Sequence, residues 1–126
     1  MDAYAGIQQG FRPWEQQGVL GFTAQVYGHS AQGTPLEIYG NCSPGGLLLI
    51  AGIHGEESDT TLVASRALRL LKSPPPNGII LCANPDGNRL GTRGNSRGVD
   101  LNRNFPTGNW TAAETLCRLT LETSRV

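Results

Sequence analysis

Several things are scarce in this 126-residue chain, and each scarcity excludes something. There is no excess of charge of either sign: ten Lys plus Arg face ten Asp plus Glu. A nucleic-acid-binding module needs a basic excess for its affinity, so the balance argues against that class. Charged residues as a whole are thin, at 16%. No apolar run approaches the roughly 20 residues that cross a bilayer. Met1 to Trp14 lacks a basic start followed by an apolar stretch, so no secretory signal is expected. The three cysteines, Cys42, Cys82 and Cys117, are odd in number and far apart. They read as reduced thiols of a cytoplasmic protein, with neither a disulfide framework nor a cysteine zinc site. Histidine is limited to His29 and His54.

Glycine, by contrast, is abundant, with 17 residues and no Gly-X-Y period. That predicts many tight turns and close backbone approaches. Phe22–Tyr27 and Pro35–Tyr39 read as two strands of a hairpin, with 28–33 as the turn. Gly46–Ile53 is a continuous apolar run without alternation, which predicts a central strand buried on both faces. A helix follows over Ser58–Lys72, with Leu62, Val63, Ala67, Leu70 and Leu71 on its apolar side. Ser58 or Asp59 can cap its start, and its cations gather toward its end. Gly78–Ala83 is a second apolar strand. Residues 46 to 84 thus read as a βαβ crossover in an α/β sheet. Pro85–Asn109 reads as a long polar loop, a length that in compact domains is usually functional or disordered. Thr111–Glu114 has the pattern of a capping box opening a short helix.

The chemistry gathers where the first central strand ends. His54 and Glu57 stand three apart on a turn entering a helix, beyond the carboxyl end of a strand, where open α/β sheets bind ligands. Their imidazole and carboxylate can reach one metal ion. Taken alone, His-x-x-Glu more often marks a helix N-terminus with acidic residues near its dipole. The loop shifts the balance. Four of the nine arginines, Arg89, Arg93, Arg97 and Arg103, fall within the span that opens with Asn84-Pro85-Asp86-Gly87 and closes with Gly98-Val99-Asp100-Leu101-Asn102-Arg103-Asn104-Phe105-Pro106. Guanidinium groups clustered beside a ligand pair make an anion site, and can stabilise an oxyanion.

Three segments together carry a family resemblance: His54-Gly55-Glu56-Glu57, Asn84-Pro85-Asp86-Gly87 and Gly98–Phe105. In order and spacing the chain resembles the zinc metallocarboxypeptidase family of the carboxypeptidase A type, from about Tyr27 to Trp110. Within that family it is similar to the branch of bacterial murein peptide amidases, through Arg93-Gly94-Asn95, Phe105-Pro106-x-x-Asn109-Trp110 and the Tyr27–Leu36 lead-in. The resemblance implies a mixed α/β sheet flanked by helices, of which this chain holds the N-terminal half. It implies His54 and Glu57 as zinc ligands, Arg93 as the group polarising the scissile carbonyl, and Asn102 with Arg103 as the holders of the substrate's terminal carboxylate. The implied reaction is cytoplasmic, zinc-assisted hydrolysis of the γ-D-glutamyl–meso-diaminopimelate bond of murein tripeptide, with no nucleic-acid or membrane partner.

The family's third ligand is a later histidine, and none follows His54 here. Its general base also lies late, and neither Glu114 nor Glu122 stands in a matching context. The expectation is therefore a truncated chain: a lead-in over 1–21, a partial domain over 22–110 and a divergent tail over 111–126. Such a chain would have little activity alone and would associate with the missing C-terminal portion. Two alternatives stay open: an acyl-amino-acid deacylase resembling aspartoacylase or succinylglutamate desuccinylase, and a non-catalytic remnant that keeps an anion site.

Overall fold

The computed structural model describes residues 22–40, 43–73, 75 and 77–112. The expected lead-in over 1–21, the tail helix after Ala112, and Cys42 and Cys117 lie outside the described residues. Strand β1 (Gln25–His29) pairs antiparallel with β2 (Pro35–Ile38), with a register shift at Tyr27. The hairpin is as expected, with its second strand starting at Pro35 as read, but its first strand lies two to three residues later. His29 ends β1 opposite Pro35 and is not a turn residue, so the loop is 30–34. Ser30 closes that loop, its backbone N–H donating to the Thr34 carbonyl at 2.8 Å.

Strand β3 (Leu48–Ile50) runs parallel to β4 (Gly78–Ile80), joined through helix α1 (Ser58–Leu70). This is the βαβ crossover that the apolar runs predict. The ladder continues past the strands, through Ala51 N–H to Ile80 O, Ala83 N–H to Ala51 O and Asn84 N–H to Gly52 O, each at 2.9 Å. The carboxyl ends of both strands therefore lie side by side. On its other edge β4 meets the end of the hairpin, where Tyr39 and Ile79 exchange both backbone bonds at 2.8 Å. Among the described residues β3 pairs with β4 alone, and its second edge is open.

That open edge corrects the expectation of a strand buried on both faces. Leu47, Leu48, Leu49 and Ile50 are exposed, from 39% to 75%. Apolar strand surface on which none of the described residues packs is a docking or aggregation surface. Helix α1 needs a similar correction. Its core residue is Leu68, at 1% exposure, with the half-buried Thr61, Ala64 and Ser65 on the same side. Leu62, Val63 and Ala67 face outward. The stripe i, i+3, i+4, i+7 running from Thr61 is the packed one. Two of its members are polar, which hid it from a purely apolar count. Neither Ser58 nor Asp59 caps the helix: Glu57 occupies the N-cap position without a side-chain cap bond.

The segment expected as a long loop is more ordered than its composition suggests. Helix α2 (Pro85–Leu90) opens it, and a 3₁₀ turn over Leu101–Arg103 follows. Six residues are too few to show a helical period. The start signals are nonetheless present, with Asn84 as N-cap and Pro85 at the first helical position.

Candidate metal and anion site

The site grows from a contact between two turns. At the end of β3 the chain bends through Gly52–Glu57; at the end of β4 it enters α2. A Cβ at Gly55 would collide with the backbone of Gly87 and Asn88, and one at Gly87 with the Asn84 side chain and the Gly94 carbonyl. Backbone thus lies directly on backbone here, which only glycine allows. Asn84, 2% exposed, locks the two turns together. Its Oδ1 accepts from the Gly87 N–H at 2.9 Å, and its Nδ2 donates to the Ile53 carbonyl at 3.1 Å. The residue just before His54 is therefore anchored by the residue just before α2.

Asp86 supplies a second knot. Its carboxylate, 1% exposed, accepts from Ser30 Oγ at 2.8 Å, the Gln32 N–H at 3.1 Å, Ser96 Oγ at 3.2 Å and Arg89 Nη2 at 2.9 Å. Burial pushes this carboxyl upward. The bonds from Ser30, Gln32 and Ser96, with the Arg89 charge, outweigh burial and hold it below the usual carboxylate value. The hairpin loop, α2 and the 92–100 loop are joined through this one side chain. Asn95 shapes that last loop, its Oδ1 accepting from the Arg97 and Val99 N–H groups at 2.9 and 3.0 Å.

His54 is buried, at 8% exposure, and is held on both sides. Its Nε2 lies 3.1 Å from Asp100 Oδ1, and its Nδ1 lies 3.4 Å from Glu57 Oε2. A carboxylate only accepts, so in the neutral ring the single proton sits on Nε2, toward the nearer Asp100. The Nδ1 lone pair then faces the Glu57 oxygen, acceptor against acceptor, an arrangement that a cation between them resolves. The spacing suits this. Two donors each about 2.1 Å from a tetrahedral ion stand about 3.4 Å apart. The pair thus fits one metal ion, and Asp100 behind it fixes tautomer and ring orientation, as partners of metal-bound histidines do. Leaving the α1 cap unmade is what frees Glu57 for this role. Among the described residues no group of three metal-binding side chains occurs, so the chain's described part offers two ligands.

Asp100 was not singled out by sequence reasoning, though it stands two residues before Asn102. The signal that could have found it is the need of a buried histidine for an acceptor behind it. Its second oxygen, Oδ2, accepts from Arg93 Nε at 2.9 Å. Burial again acts to raise the Asp100 carboxyl. Bonds from Arg93, His54 and the Asn102 N–H overcome it and leave the carboxyl depressed. The bond to Asp100 likewise raises the Arg93 guanidinium above its already high value. Arg93 also reaches Glu56, Nη1 to Oε1 at 3.4 Å.

Asn102 lines a cleft of about 720 Å³ together with His54, Glu57 and the apolar Leu49, Ile50 and Val63. The cleft therefore runs from the ligand pair along the uncovered side of β3 and α1. Arg103 does not line it. Its Nη1 donates to the Asn102 carbonyl at 3.1 Å, and its side chain borders a neighbouring groove with Phe105 and Trp110. Of the other two arginines in the cluster, Arg89 is turned to Asp86, and Arg97 is exposed.

No protein-family model matches the chain. Curated relatives do match. Murein peptide amidase A of Escherichia coli (strain K12) is 42% identical over 110 residues, 85% of this chain and 46% of that protein. Murein peptide amidase A of Vibrio campbellii (strain ATCC BAA-1116) is 41% identical over 112 residues, 84% of this chain and 44% of that protein. Among solved structures, murein-tripeptide amidase MpaA from Escherichia coli O157 superposes with a TM-score of 0.73 at 41% identity, covering 80% of this chain and 44% of that chain. A structure from Shewanella amazonensis SB2B, at 22% identity and a TM-score of 0.52, shares the fold alone. The chain spans under half the length of the curated relatives it matches. Matches this long necessarily include the motif segments between His54 and Phe105. The chain is thus similar to the murein peptide amidases across all three of its motifs, and its mixed α/β fold is that of the N-terminal portion of such an enzyme.

Proposed function

We propose that this chain carries the first part of a zinc-dependent amidase site acting on murein peptides, in the cytoplasm. The observation that carries the reading is the His54–Glu57 pair at the bite distance of a tetrahedral ion, with Asp100 behind the histidine and Arg93 on the same carboxylate. His54 and Glu57 would hold the metal, which when bound supplies a Lewis acid and an activated water. Arg93 offers a preorganised donor to the oxygen of the scissile carbonyl. Asn102, which lines both the cleft and the neighbouring groove, and Arg103 in that groove would hold the terminal carboxylate of the peptide, where an arginine can pair bidentately. The bond cut is the γ-D-glutamyl–meso-diaminopimelate amide of the murein peptide.

With two ligands in the described part, a third ligand and a general base have to come from elsewhere. We assign them to polypeptide equivalent to the part of the relatives that this chain does not span. That polypeptide would cover the open edge of β3 and the cleft beside it. The relatives' own name favours this reading over the acyl-amino-acid deacylases. A non-catalytic remnant is the second reading, and the two-ligand site is the observation in its favour.

Zinc titration and a diaminopimelate-release assay separate these. The chain alone is expected to bind zinc weakly and release no diaminopimelate from murein tripeptide. Mixed with the separately expressed C-terminal portion of the Escherichia coli amidase, it should bind one zinc and release product. Release by the chain alone would refute the need for a second part. A mixture that neither binds zinc nor hydrolyses the peptide would leave the remnant reading standing.

A further inference from the structure

We propose that Glu56, the residue between the two metal-ligand candidates, is a positioning residue for Arg93. The guanidinium of Arg93 is gripped at two of its three nitrogens. Nε donates to Asp100 Oδ2 at 2.9 Å, and Nη1 reaches Glu56 Oε1 at 3.4 Å. Nη2 has no hydrogen-bond partner among the described residues. One contact alone would leave the planar group free to turn about its own axis. Two contacts on different nitrogens fix its plane and leave the Nη2 amino group to present.

Fold stability does not account for the Glu56 contact. The Arg93 and Glu56 side chains are 39% and 47% exposed, and ion pairs that open to water stabilise a fold little. Orientation does account for it. Arginine carries much rotamer freedom, and a donor that must meet developing charge acts best when it is already in place. The position of Glu56 in the chain serves the same end. The turn that sets His54 and Glu57 is pinned by the Gly55–Gly87 contact, so Glu56 is delivered by the backbone that delivers the ligand pair. Metal ligands and the arginine clamp are thereby held in one register.

The inference rests on the proposed role of Arg93 in polarising a carbonyl, but its test reads the clamp itself, so each can fail without the other. The chain is labelled with ¹⁵N-arginine, and the Arg93 side-chain signals are identified by their loss in Arg93→Lys. Slow rotation of a clamped guanidinium is expected to give two separate Nη signals for Arg93 in the unaltered chain. Glu56→Ala should merge them into one averaged signal, while Arg89, held by Asp86, is unchanged. Should Glu56→Ala lose its amide dispersion and fail to fold, Glu56→Asp, one methylene too short for the contact, should give the same merging. A single averaged Arg93 signal in the unaltered chain overturns the proposal, as do two resolved signals in a folded Glu56→Ala or Glu56→Asp variant.

Discussion

At the scale of single residues, two buried carboxylates organise the site, and neither belongs to the ligand pair. Asp100 bridges His54 and Arg93 with its two oxygens. Replacing it by Asn keeps the shape but leaves one acceptor oxygen for two donors; Arg93 can only donate, so oxygen kept on Arg93 turns the amide NH2 toward His54 and removes the acceptor that selects its tautomer. Zinc affinity of Asp100→Asn is expected to fall about 10–100-fold, the usual cost of losing such a partner, as read by competition with a chromophoric chelator. Asp86 makes a different prediction, about acidity. Its carboxyl is depressed below the ordinary value of 3.8 in the folded chain. A depressed carboxyl stabilises the fold above its unfolded value, and that contribution is lost as pH falls through the folded value. The melting temperature should therefore drop as pH is lowered below about 4, and Asp86→Asn should flatten that drop. The same variant should be less stable at neutral pH, read as a lower denaturant midpoint, because hydroxyls and an arginine lose their ionised acceptor.

At the scale of elements, the decisive contacts are between turns and not between helix and sheet. The turn after β3 and the start of α2 touch through Gly55 and Gly87. Gly55→Ala places a methyl group into backbone, and overpacking of that kind costs about 1–3 kcal/mol. Here the opposing atoms are main chain and cannot rotate away, so the upper end is expected, measured as a lower denaturant midpoint. The two sides of α1 and β3 make a contrasting pair. Leu68→Ala, in the packed stripe, should cost about 2–5 kcal/mol. Leu49→Lys, on the uncovered strand, should change stability by no more than about 0.5 kcal/mol. It should instead reduce self-association, seen by light scattering, because the open apolar edge is the sticky one. The apolar run of Gly46–Ile53 announced a strand correctly, but a run cannot say which of its faces finds a cover. Likewise α2 was hidden inside a polar stretch, since Asn-Pro at its start is a signal of position and not of periodicity.

At the scale of the whole chain, the described part is a small sheet with one finished side and one unfinished side. The finished side packs Tyr39, Ala51, Leu68 and Ile80. The unfinished side exposes Leu47 to Ile50, Leu62 and Val63, and the cleft there ends on the ligand pair. Site and docking surface are thus continuous, which is why completing the sheet and completing the metal site are one event in the proposed function. The amino-acid order by itself determined the crossover, the hairpin, the strand-end placement of His54 and Glu57 and the family likeness. These depend on local signals: apolar runs, turn residues and motif spacing along the chain. Tertiary structure alone decided which carboxylate stands behind His54, which nitrogens of Arg93 are engaged, and that Arg89 turns to Asp86 while Arg93 turns to Asp100 and Glu56. Those partners are separated by up to 46 residues in the chain, as His54 and Asp100 are. Only the folding of two strand ends against each other brings such residues within hydrogen-bond reach.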